Sequence, residues 1–226
     1  MRFNFLLIIL ITAACSNSQS QAKLQQEDEN LIAVLDTIWR DEQLPIRYRD
    51  SLMQVHGPES PLVTAQDSII RKFHAINEIK VAKILEIHGW PTKEMAGENG
   101  NWTICNVIQH SSNDVRIKYL PVMRQAVKDK KLEPRFLVRT EDRIKTELGE
   151  LQIYGGQMKY YPETKSFNVW PVYDPENIDQ RRAEIGLEPI AIFLKNRFNF
   201  EWNLEEQIER TKAYIAAKSK DGQKNK

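Results

Sequence analysis

Apolar residues in this chain recur at helical spacing almost throughout and at strand spacing in one stretch only, which restricts the fold to helices carrying a single hairpin. The series Leu31, Val34, Leu35, Ile38 and Trp39 predicts a first helix, with Pro45 interrupting it or kinking its continuation. Residues 56–61 read as a loop, after which Thr64-Ala65-Gln66-Asp67 is the expected cap of a long helix carrying Ile69, Ile70, Phe73, Ile76, Ile79, Ile84 and Leu85 and ended by Gly89. A polar loop over 93–101 leads to a short helix over 102–110, with Asn101 as its expected N-cap. Asn113 or Asp114 then opens a helix through residue 131, with Pro121 near its first turn or kinking it, and 134–147 makes another. At 152–161 and 167–172 the period changes, and Tyr, Val, Ile and Trp around Pro162 predict a β-hairpin. Three further helices are expected, over 174–186, 189–195 and 204–218. The expected fold is mainly α: an irregular helical domain with one β-hairpin (α+β).

The N-terminus carries an address. Arg2, an apolar run from Phe3 to Ile11 too short to span a bilayer, and Thr12-Ala13-Ala14-Cys15 have the form of an export signal peptide over 1–14. Cys15 directly after Ala13-Ala14 resembles the lipobox of bacterial lipoproteins, in which that cysteine receives lipid and the preceding peptide is removed. The resemblance implies a cell-envelope protein held to the membrane through lipid at Cys15. Residues 15–29 are polar and read as a lipidated flexible tether, 30–218 as a single globular domain and 219–226 as a polar tail. No acidic cluster precedes Glu27, which points to a periplasm-facing protein. Later segments fall short of the roughly 20 apolar residues of a membrane helix. Lys plus Arg total 32 and Asp plus Glu 31, so the chain lacks the basic excess of a nucleic-acid partner.

The four histidines, His56, His74, His88 and His110, form no pattern that would present two metal ligands on one helix, and no metal or cofactor is expected from spacing. Nucleophile elbows, phosphate loops and Cys-x-x-Cys pairs are absent. Cys105, in a short apolar run, reads as a buried thiol. His110, with Gln109, ends a short helix; the helix dipole there favours its protonated form, suited to a proton donor or an anion contact, or to satisfying the terminal carbonyls. Gln152, Tyr154 and Gln157 offer amide and phenol groups beside Gly155-Gly156, either to orient a polar ligand or to form a bend. Arg181 and Arg182 suit a carboxylate or phosphate, or a structural pair with Asp179, Glu184 or Asp142.

Several of these punctuation points occur together in one family. Asn77, His88-Gly89-Trp90-Pro91, Trp102, Ile108-Gln109-His110-Ser111, Gln125-Ala126-Val127, Asp142-Arg143-Ile144, residues 152–157 and 179–187, in that order, resemble a bacterial family of uncharacterised proteins, the domain of unknown function numbered 6624. The resemblance implies an architecture, not a reaction. Three functions stay open: a binding or interaction module for a polar or anionic ligand or an envelope protein, an envelope hydrolase or transferase with His110 as general acid or base, and a structural or immunity-type lipoprotein without a pocket.

Overall fold

The computed structural model describes the backbone of residues 9–162 and 165–224 and the side chains of 31–162 and 165–220. Most of the expected signal peptide, and the side chains of Cys15 and of the expected tether, lie outside the described residues. The described chain is mainly helical with a two-stranded antiparallel hairpin, and no described helix is long and apolar enough to cross a membrane. The residues expected as one domain group into two compact units, Met1–His110 and Ser111–Lys226.

The first unit holds α1 (Ile9–His56), α2 (Pro61–His88), α3 (Lys93–Ala96) and α4 (Gly100–His110). Helices α1 and α2 run antiparallel, because Pro45 O meets Gln66 Nε2 at 3.1 Å while Asp41 meets Lys80 at 3.2 Å further along α2. Leu35, Ile38, Val81, Ile104, Val107 and Ile108 are buried in this unit, each worth roughly 1.5–3 kcal/mol relative to exposure. Cys105 is buried as well. Helix α2 starts earlier than expected: Ser60, in extended conformation, accepts from Leu62 N at 3.3 Å, and Pro61 takes the first position, where a missing N–H costs nothing. Asn101 lies inside α4, where its side chain accepts from the Trp90 indole instead of capping. The expected loop at 93–101 contains α3, capped by Thr92. Pro45 and Pro121 both lie inside continuous helices.

The second unit holds α5 (Asn113–Lys128), capped by Ser112, and α6 (Pro134–Glu147), followed by β1 (Met158–Tyr161) and β2 (Ser166–Val169). The strands pair from Met158↔Val169 to Tyr161↔Ser166. After a 3-10 turn at Pro175–Asn177 come α7 (Ile178–Glu184), α8 (Ile190–Phe198) and α9 (Leu204–Lys224). The strands are shorter than the periodicity predicts, because 152–157 leaves the ladder after a bridge between Gln152 and Val172 and curls around Asp142 of α6. Val169, Val172, Ile178, Ile190 and Leu194 form a buried cluster, with Phe193 and Trp202 packed against it.

Gly155 is required within that curl. Its φ is +79°, and a Cβ there would lie 2.7 Å from Ile190 Cδ1 and 3.0 Å from Ile178 Cδ1. Gly155→Ala should therefore lower stability by about 2–4 kcal/mol, combining a left-handed backbone with an overpacked core, as read from chemical denaturation.

Candidate functional site

Three helices of the first unit bring ionisable groups together in its interior. Glu42, on the buried face of α1, is 1% exposed. One turn earlier, Trp39 lies against Trp102 of α4 with ring centroids 3.8 Å apart, which fixes α1 against α4. His74 and Asn77 share a face of α2. His110 comes from the last turn of α4. Glu42 Oε2 lies 2.7 Å from His110 Nδ1 and 3.4 Å from His74 Nε2, while Asn77 Nδ2 donates to Glu42 Oε1 at 3.0 Å. The two imidazoles stack with centroids 4.6 Å apart, and each side chain keeps 23% of its surface exposed.

Burial pushes the Glu42 carboxyl up, but the hydrogen bonds from His110 and Asn77 and the charges of the two imidazoles outweigh it and hold the group below its ordinary value. His74 is held below the usual imidazole value, chiefly by burial, with Glu42 opposing and His110 and Arg49 reinforcing the shift. At neutral pH an ionised carboxylate thus sits beside a neutral His74. Because an ionised carboxylate only accepts, His110 Nδ1 is the donor of the 2.7 Å bond. His74 Nε2 and Asn77 Oδ1 are buried and make no hydrogen bond among the described residues. The ligand-type atoms of Glu42, His74 and His110 all lie within 4.8 Å of one another.

The remaining ligand-binding candidates, apart from Gln109, which is buried in α4, belong to the second unit, on the 152–157 segment and on α7, near Asp142 of α6. Asp142 Oδ1 accepts from the N–H groups of Ile153 and Tyr154 at 2.7 and 2.9 Å, and Oδ2 accepts from Gly156 N at 2.8 Å. Gln152 bridges Gln157 O and Trp170 O through Nε2 and accepts from Gln157 N, while the Gln157 amide donates to Arg139 O. Arg181 donates to the carbonyls of Ile153, Tyr173 and Asp174. Arg182 is 3% exposed and donates to Glu188 O and Tyr154 O, each at 2.7 Å. Tyr154, half-buried, has its phenol pKa raised, chiefly by burial. The side chains of Asp142, Gln152, Gln157, Arg181 and Arg182 hold the backbone of 152–157 to its neighbours.

His110 was legible as a candidate, whereas its partners Glu42 and His74 were not. Each comes from a different helix, and a search for two ligands on one helix does not see them. The one local signal was Glu42 itself, a charge on the same face as Leu35, Ile38 and Trp39.

Asp142 also yields a pH dependence. Burial pushes its carboxyl up to about 6 against the pull of three backbone N–H donors. A raised carboxyl binds its proton more tightly in the folded state, so its contribution to stability is complete below the ordinary value of 3.8 and is lost as the pH rises through about 6. The stability of the wild type relative to Asp142→Asn should therefore fall by about 2.5 kcal/mol between pH 4 and pH 7 in paired denaturation curves.

The chain matches the family of unknown function DUF6624 over residues 46–199. That match takes in His74, Asn77, His110 and the whole Asp142 loop, and Glu42 lies just before it. No curated protein and no solved structure matches the chain. Since the family covers more than half of the sequence, the protein belongs to DUF6624.

Proposed function

We propose that the protein is a lipid-anchored component of the bacterial cell envelope, periplasm-facing through Cys15, and that its Glu42–His74–His110 centre binds a ligand instead of serving the fold. The observation that carries this reading is the buried Glu42 carboxylate facing two imidazoles that each keep part of their surface in solvent. Taking a carboxylate out of water is costly, and apolar side chains of similar volume usually stabilise such a position as well or better. Groups retained at a cost to stability, with polar atoms left unmatched, are characteristic of sites kept for binding or chemistry. The polar groups of Gln157, Arg181 and Arg182, in contrast, are engaged by backbone. The lipobox-like residues 12–15 support the anchor.

One observation favours an enzymatic reading of the same centre. The 2.7 Å bond to Glu42 orients His110 through Nδ1, as a carboxylate orients a general base whose other ring nitrogen works on a substrate.

Replacing Glu42, His74 and His110 together by Leu should leave the melting temperature unchanged or raise it. A loss of more than about 3 kcal/mol would assign the centre to the fold and overturn the binding reading. Independently, Cys15→Ala should move the protein from the membrane fraction to the soluble fraction on cell fractionation; retention at the membrane would remove the lipid anchor from the proposal.

A further inference from the structure

The geometry points to a specific ligand: we propose that Glu42, His74 and His110 hold a divalent transition-metal ion of the zinc class, through one carboxylate oxygen and two imidazole nitrogens. The inference rests on the reading that this centre is the functional one.

Four features carry it. The donor set is two histidines and one carboxylate, the combination that binds zinc and ferrous iron while leaving coordination positions open. The three donor atoms lie within 4.8 Å of one another. Bonds of about 2.0–2.2 Å to a tetrahedral ion set its ligand atoms roughly 3.3–3.6 Å apart. His74 Nε2 and Glu42 Oε2, at 3.4 Å, already meet this spacing. His110 Nδ1, at 2.7 Å, must open by less than about 1 Å through rotation of its part-exposed ring, and must give up the proton it donates to Glu42, the ring passing to its Nε2–H tautomer when the ion takes that proton's place. Third, His74 Nε2 is buried, makes no hydrogen bond among the described residues and faces the carboxylate. A neutral imidazole nitrogen in that position gains a partner when a cation lies between it and the oxygen. Finally, Asn77 Nδ2 binds Oε1 and leaves Oε2 as the oxygen toward the imidazoles, the arrangement of a supporting residue that orients a monodentate ligand. With three protein ligands and exposed ring edges, the ion would keep a position for water or an exogenous group, unlike a closed structural site.

The test uses full-length protein, freed of metal by a chelator, and titrates it with Co²⁺ and then Zn²⁺. We expect one ion per chain, a cobalt visible spectrum of a four- or five-coordinate site that zinc abolishes, and a rise in melting temperature with either metal. His74→Ala and His110→Ala should each weaken binding by at least 100-fold, while His56→Ala and His88→Ala should leave it unchanged. X-ray absorption at the zinc edge of the wild type, which needs no variant to fold, should show imidazole and carboxylate ligands without sulfur. Absence of binding to folded wild type, a hexaaqua cobalt spectrum, or equal affinity in the His74 and His110 variants would overturn the metal site. If metal fails while the triple Leu variant stays as stable as wild type, the binding reading stands and only the metal falls; if the triple variant is destabilised, the binding reading itself fails.

Discussion

A carboxylate removed from water has to be met by polar groups from several stretches of chain, and each unit of this protein holds one such group. In the second unit it is Asp142, which gathers the N–H groups of Ile153, Tyr154 and Gly156. In the first it is Glu42, which accepts from Asn77 and His110 and faces His74 at 3.4 Å. Leaving either carboxylate unmatched would cost several kcal/mol, a large fraction of the stability of a domain, so while the carboxylate is present its partners have to be there.

The two solutions differ in the nature of the donors. Around Asp142 they are backbone groups held by the curl of 152–157, by Gly155 against Ile190 and by arginines tied to carbonyls; such donors cannot be exchanged without unfolding the loop. Around Glu42 the partners are side chains, two of them imidazoles with edges in solvent, able to rotate or change protonation. Backbone donors make a joint, whereas side-chain partners with edges in solvent can exchange. The contrast separates scaffold from candidate chemistry more sharply than residue type does, since Arg181, Arg182 and Gln157 are as well suited to ligands by type as His110.

Secondary structure was largely legible, and its departures from the periodicity have identifiable causes. Helix α6 matches its expected span, and Gly89 and Gly186 close turns where expected. Helix α2 begins ahead of its expected cap because Ser60-Pro61, loop-like in composition, is itself a helix start, with Ser at the cap and Pro at the first position. The hairpin is shorter than expected because 152–157 has the composition of a strand, while its amides are claimed by Asp142 from another element. Neither Pro45 nor Pro121 breaks its helix. A helix packed along its length loses one hydrogen bond at such a site and keeps its burial.

Period, capping and turn residues are properties of neighbours along the chain, and from them the sequence by itself determined a mainly helical protein with one hairpin, its principal boundaries, and the family to which it belongs. Which buried carboxylate meets which donors was decided by tertiary structure alone. Glu42, His74 and His110 stand on three helices, and no spacing rule relates them. Their meeting depends on the antiparallel packing of α1 on α2 and on the contact of Trp39 with Trp102, interactions between residues distant in sequence that leave no periodic trace in it.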